Sequence, residues 1–272
     1  MRKPAAIGFY PPDRNFLERE VRTLLADIKH LDVEDAVGAI VPHAGYSFSG
    51  LTAAAVYASL PEDYETIVIL GTNHTGIGAS IAVSLDSWQT PLGAVENDVE
   101  TGKKIVELSK AALHNEAAHM QEHSIEVQLP FLQAKMQDFK IVPITVSSGL
   151  SAKTYAELAN AIKEAVRGKR ALVIASSDFT HYGEMYGFAP ECDDANKWVH
   201  DTDKKVIEAI LAHDTEKFVD LAGKTTVCGA GAIATLMYFT KDRKGKLVDY
   251  RTSFDISGDK DLIVGYGGVL FL

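Results

Sequence analysis

Apolar and polar positions along this chain follow two rhythms. From Asn15 to His30, Phe16, Val21, Leu24, Leu25 and Ile28 recur at helical spacing with charges between them, which predicts a helix. The rhythm then gives way to short unbroken apolar runs over Val37–Val41, Thr66–Leu70 and Ala171–Ala175, each ended by turn-forming polar residues. Runs of that kind are the pattern of strands buried on both faces. Leu51–Leu60, Asn97–Leu113, Glu122–Met136, Ser151–Val166, Cys192–Ala212 and Gly229–Thr240 read as further helices, with Pro130 bending or breaking the third and Ser151 capping the fourth. Ala79–Ser84, Phe139–Val146, Val248–Ile256 and Leu262–Leu272 read as strands, and Pro143 places the second of these at an edge or a bulge. Strands alternating with helices predict an α/β architecture: a layered, mostly parallel central sheet with helices on both faces.

Three of the strands end in the same way, in a loop that carries a histidine. His43 stands in Pro42-His-Ala-Gly-Tyr46, His74 in Gly71-Thr-Asn-His-Thr-Gly76, and His181 in Ser176-Ser-Asp-Phe-Thr-His181. Ligands of open α/β sheets sit at the carboxyl ends of the strands, so neighbouring parallel strands would bring these imidazoles to one pocket. Histidine is the commonest protein ligand for borderline metals, and two histidines with a third donor make an open site. The third donor is a carboxylate or Cys228, which precedes Gly229-Ala-Gly231 at a loop-to-helix junction, where a helix N-terminus favours thiolate. Each lone histidine could equally be a hydrogen-bonded structural residue; it is the threefold repetition at equivalent positions that argues for a shared site. Glu122-His-Ser-Ile-Glu-Val-Gln128 is a second polar cluster, in which helical spacing puts His123 and Glu126 on one face and His123 in or beside the pocket. His30, His114, His119, His200 and His213 lie in helical or linking segments and read as surface residues.

Other chemistries find less support. A Ser-His-Asp hydrolase would use Ser176 or Ser177 with Asp178 and His181, but no Gly-x-Ser-x-Gly elbow surrounds either serine. Glu122-His123 lacks the second histidine of a zinc-protease helix, and no glycine tract has the form of a phosphate loop. Composition narrows the partners. With 27 basic against 37 acidic side chains the net charge is −10, which disfavours nucleic acid and anionic membrane surfaces. At 272 residues and 46% hydrophobic, the chain can bury a large core as a single domain over 1–272. Only Cys192 and Cys228 are present, which points to a reducing, cytoplasmic setting, and no apolar run is long enough to span a membrane.

Pro42-His-Ala-Gly-Tyr46, Leu70-Gly-Thr-Asn-His74, Glu122-His-Ser-Ile-Glu126, Ser176-Ser-Asp-Phe-Thr-His-Tyr-Gly183 and Cys228-Gly229 resemble, in the same order, the motifs of the Memo family. The resemblance runs from Gly8-Phe-Tyr10 to Gly265-Tyr-Gly-Gly-Val269 and so covers essentially the whole chain. It implies a fold like that of class III extradiol dioxygenases, whose non-haem iron is held by two histidines and a glutamate. Carried over, it makes His43 and His74 the metal histidines and puts Cys228 where those dioxygenases have the glutamate. It makes His181 the acid/base histidine, with Asp178 orienting it and His123 helping to hold the ligand. Iron is the implied metal, and the softer thiolate also admits zinc or copper(I). Two departures stand out. The cysteine is followed by Gly-Ala-Gly-Ala, where animal members carry Gly-Arg-His-Pro, and Thr-Asn-His-Thr replaces their Pro-Ser-His-His. Prokaryotic members have this second form and are often encoded beside a radical-SAM protein, which makes such a protein an implied pathway partner. The phosphopeptide binding attributed to animal members is not carried over. The expected function is dioxygenase-like redox chemistry on an unknown small molecule. The alternatives are a non-catalytic metal-, ligand- or peptide-binding protein and a metal-assisted hydrolase or transferase.

Overall fold

Strands form where the unbroken apolar runs predict them. The computed structural model describes residues 1–26 and 28–272. Its strands are β1 (Gly38–Val41), β2 (Thr66–Thr72), β3 (Ile81–Val83), β4 (Trp88–Thr90), β5 (Gly93–Val95), β6 (Leu113–His114), β7 (Lys140–Val146), β8 (Ala171–Ser176), β9 (His181–Tyr182), β10 (Gly245–Thr252) and β11 (Ile263–Phe271). The main sheet runs β10-β11-β1-β8-β2-β7-β3-β6, with β9 paired to β11, while β4 and β5 form a separate ribbon. Its centre, β1-β8-β2-β7, is parallel throughout; β3 and β11 join that block antiparallel on either side. The three histidine-bearing loops thus leave adjacent strands at one edge, because β8 lies between β1 and β2.

Helices cover both faces, and alternation along each central strand divides the core between them. Ala39, Val41, Ile67, Ile69, Leu172 and Ile174 pack towards α1 (Arg14–Ala26), α2 (Tyr46–Ser59) and α4 (Leu129–Lys135). Ile40, Val68, Leu70, Val173 and Ala175 pack towards α3 (Val99–Leu108), α5 (Ala152–Ala165), α6 (Ala195–Leu211), α7 (Thr215–Ala222) and α8 (Ala230–Phe239). Burial on both sides is why the middles of β1, β2 and β8 are wholly apolar.

Several boundaries differ from the sequence expectation, each for a local reason. The first helix ends by Ala26 among the described residues, with residues 28–30 irregular; position 27 lies outside them. The Glu122–Met136 helix is not formed: residues 122–125 are irregular, Glu126–Gln128 is a single 3₁₀ turn, and the α-helix starts at Leu129. Pro130 stands in the first turn, where its missing N–H costs nothing, so it opens this helix and does not bend it. Pro143 is not on an edge strand, since β7 lies between β2 and β3. Its carbonyl accepts from the Ser84 amide (2.9 Å) just past the last β3–β7 pair, so its missing donor falls on the side where that pairing has ended. The predicted strand to Ile256 stops at Thr252, and Phe254–Ser257 is a helical turn.

Asp98 fastens three elements together. It caps α3 at Thr101 and accepts from the Thr66 hydroxyl (2.7 Å) and from Lys169 (2.6 Å). Burial pushes its pKa up, but hydrogen bonds from Lys169, Thr66 and Thr101 outweigh that and hold it at about 2. A carboxyl depressed in the folded state stabilises the fold above its unfolded pKa, roughly 3.9, and that contribution is lost as pH falls through the folded value. Denaturant unfolding at several pH values should therefore show a steeper loss below pH roughly 4 in wild type than in Asp98→Asn. The difference should be on the order of 1 kcal/mol after screening at the partly exposed Lys169. Equal slopes would remove Asp98 from this role.

Candidate metal and ligand site

The carboxyl edge of the central strands holds the clustered chemistry. His43 follows β1 directly, and Asp178, just past β8, accepts from the amides of His43 (2.7 Å) and Ala44 (3.3 Å), fixing that loop. Ser176 lies 3.1 Å from His43 Nδ1. The Ser176 hydroxyl donates to the Ser124 carbonyl (2.6 Å) and accepts from Gln128 Nε2 (2.8 Å), so its hydrogen is spoken for and it accepts from His43 Nδ1–H. The ring nitrogen left over, Nε2, faces Cys228 Sγ at 3.2 Å.

His74 is held by the same logic. The Glu122 carboxylate, fully buried, accepts from the His74 amide (2.7 Å) and from Nδ1 (2.9 Å), which again turns Nε2 inward. One ligand atom from each of His43, His74 and Cys228 falls within 4.8 Å of the others. Burial pushes the His74 pKa down, but bonds to Cys228 and Glu122 outweigh it and raise it to about 9. Burial pushes Glu122 up, but the His74 partnership dominates and lowers it to about 2. Cys228 is set in place by the glycine that follows. Gly229 lies so close to β8 that an added Cβ would stand 2.5 Å from Ser177 Cβ, and its amide donates to Ser177 Oγ (2.9 Å). Only glycine lets α8 begin hard against the strand end.

His181 belongs to neither set of close donor atoms, whereas His123 forms a second set with His74 and Glu122. The His123 ring stacks on His74 (centroids 4.7 Å, 12°) and, on the other side, on Phe9 (4.2 Å, 28°). Burial first, then the neighbouring His43 and His74, lower its pKa to about 3, so it is neutral at physiological pH. His181 lines the same cavity but is outside the cluster of donor atoms. Its Nδ1 lies against the carbonyls of Phe179 (3.0 Å) and Thr226 (3.2 Å). Carbonyls only accept, so Nδ1 carries the hydrogen and Nε2 keeps its lone pair. The expectation that Asp178 orients this ring is therefore corrected: main-chain carbonyls orient it, and the Asp178 carboxylate holds the His43 loop. His181 is lowered in pKa chiefly by burial.

The cavity beside the cluster encloses about 430 Å³ and is lined by Phe9, Phe48, Tyr186 and Tyr266 as well as the histidines and Asp178. A larger hollow of about 580 Å³ near the amino end of β7, lined by residues such as Arg14 and Lys140, has none of these donors. The hydrolase reading fails on geometry as well, because Ser176 and Ser177 are fully buried, with their hydroxyls directed to main-chain carbonyls. Among the remaining histidines, His30 and His114 are exposed and His200 and His213 half-buried, but His119 is wholly buried, against the surface reading. It lies edge-on to Trp88 and hydrogen-bonds the Ala82 carbonyl, and burial lowers its pKa to about 4.

The Glu122–Gln128 cluster is visible in the sequence, but its main roles are not. Glu122 anchors His74, and Gln128 orients Ser176 beneath His43. Glu126 turns away from His123 into the core, where it meets Arg2 and Tyr10. Metal-binding histidines almost always pair their second nitrogen with such partners, and loss of one costs about 10–100-fold in affinity. Glu122→Gln should therefore weaken metal binding by roughly that factor in a competition titration, with the fold retained; unchanged affinity would break the link between Glu122 and the site.

The family model and the relatives in sequence point to one family. The family model described as Memo-like protein matches residues 2–270. A MEMO1 family protein of Archaeoglobus fulgidus is 41% identical, with 100% of this chain and 99% of that protein covered. One from Thermococcus onnurineus is 40% identical over 100% and 99%, and one from Nitrosopumilus maritimus 37% identical over the full length of both. Among solved structures, an uncharacterized protein of Escherichia coli K12 superposes with a TM-score of 0.50 at 12% identity, covering 87% of this chain and 99% of that one, a likeness of fold alone.

Proposed function

We propose a function that proceeds from one fact: the chain belongs to the Memo family. The protein holds a single iron ion on His43 Nε2, His74 Nε2 and the Cys228 sulfur, and carries out redox chemistry on a small molecule in the adjoining cavity. What supports this reading is the donor set itself. Both imidazoles are engaged at Nδ1, by Ser176 and Glu122, so that two Nε2 atoms and one sulfur converge. When bound there, such an ion supplies one-electron redox chemistry and a Lewis-acid centre. The thiolate softens the set, which lets zinc or copper(I) compete with iron.

The chain's own residues do the rest. Phe9, stacked on His123, lines the cavity together with Phe48 and Tyr186 and gives the ligand an aromatic surround. His181 takes or returns a proton at Nε2, its ring held by the Phe179 and Thr226 carbonyls. The test is metal analysis of protein purified without oxygen. Wild type should retain about one equivalent of metal and His43→Ala and His74→Ala almost none. His181→Ala should keep its metal and lose turnover; loss of the metal there would make His181 a ligand. A wild type that never takes up metal, and is as stable as the two histidine variants, would leave only a non-catalytic pocket.

A further inference from the structure

We infer that this cavity selects its ligand by charge: it takes a flat aromatic compound bearing an ammonium group and turns away the carboxylate or phosphate of similar shape. The inference rests on reading the cavity as the ligand site of the proposed metal centre. Its first support is the wall. Phe9 continues the His74–His123 stack, Tyr186 stands edge-on to His181 (5.1 Å, 79°), and Phe48 and Tyr266 complete an aromatic enclosure. Aromatic linings of this kind favour a planar ring, and a cation wherever a ring face stays open to it.

The second support is the polar lining. Asp178 is only 3% exposed, yet just one of its oxygens has partners, the amides of His43 and Ala44. The other has no protein hydrogen bond among the described residues, and Asp178 lines the cavity. A carboxylate oxygen left free on a cavity wall offers an ammonium group a charge-assisted hydrogen bond, roughly twice as strong as a neutral one. Asp259 is the second carboxylate on the lining. No lysine or arginine lines the cavity among the described residues. His74 is held through its amide and Nδ1 by the buried Glu122 carboxylate. A divalent ion on the donor set would have its charge offset by the thiolate and these carboxylates. An entering anion would thus shed its water beside Asp178 with no cationic side chain to receive it.

The experiment compares phenethylamine, phenethyl alcohol and hydrocinnamate, which share ring and chain and differ in charge, by calorimetric titration of metal-free and metal-loaded protein. Phenethylamine should bind at least about tenfold tighter than hydrocinnamate in both forms, with the alcohol between them. In Asp178→Asn, which keeps an oxygen for the two amides, the ratio should shrink to about twofold, whereas Phe9→Ala should weaken all three alike. If Asp178→Asn does not fold, Asp259→Asn should still lower the ratio. Equal or tighter binding of hydrocinnamate, a ratio unmoved by either aspartate variant, or no saturable binding of the amine overturns the proposal. Metal content is read separately. Metal-loaded protein without amine preference sinks only the selectivity, and amine preference in protein that takes up no metal sinks only the metal reading.

Discussion

Cys228→Ala should cost the protein its metal, lowering affinity by well over about 100-fold, while Cys192→Ala leaves affinity unchanged. The contrast is sharp because the two thiols occupy different settings. Cys228 Sγ stands 3.2 Å from His43 Nε2 and belongs to the donor group that includes His74. Cys192 is partly buried in the loop before α6, with its sulfur 3.6 Å from the Tyr182 hydroxyl. The loss expected on removing a direct ligand exceeds the roughly 10–100-fold typical of removing a group that merely orients one, which is the scale set for Glu122→Gln. Alanine leaves the two imidazoles without a third donor but disturbs little of the core, so thermal stability of the metal-free variant should match metal-free wild type. A competition titration against a chelator of known affinity provides the measurement. Equal effects of the two cysteine variants would take Cys228 out of the site and with it the proposed donor set.

The second large effect is expected behind the cavity, at residues that do not line it. The Arg2 guanidinium is buried over the Trp88 ring (4.0 Å) and donates to the carbonyls of His119 and Glu122 and to the Glu126 carboxylate. Glu126, fully buried, also accepts from the amides of Ala5 (2.8 Å) and Ala6 (3.0 Å) and from the Tyr10 hydroxyl. The network ties the segment that delivers Phe9 to the turn that delivers Glu122 and His123. Arg2→Met should destabilise the protein by about 3–5 kcal/mol, because it strands a carboxylate in the core and removes the donor from two buried carbonyls. For a chain of this size that is a fall in melting temperature on the order of 10 °C. Replacing both charges, as Arg2→Met with Glu126→Met, should cost less than the sum of the single changes, since no charge is then left alone. Thermal unfolding followed by circular dichroism checks both. A loss below about 1 kcal/mol for Arg2→Met would show that the ion pair contributes little to holding these segments together.

The sequence by itself determined the central strands and the loops that follow them. A strand buried on both faces has to be an unbroken apolar run, and Val37–Val41, Thr66–Leu70 and Ala171–Ala175 are legible as such without any knowledge of their neighbours. Histidines just past three such runs were legible for the same reason, as was the order of motifs shared with the Memo family. What the tertiary structure decided is which imidazoles meet. Strand order puts β8 between β1 and β2, yet the ring stacked on His74 is His123, from an irregular segment whose helical spacing was misleading. The partners that aim each ring were equally hidden: Glu122 for His74, Ser176 and Gln128 for His43, and main-chain carbonyls for His181. Periodicity records how much of a residue is buried and on which side of its own element. A hydrogen bond between groups 48 or 133 positions apart depends on how separate elements pack, and no local pattern along the chain encodes that.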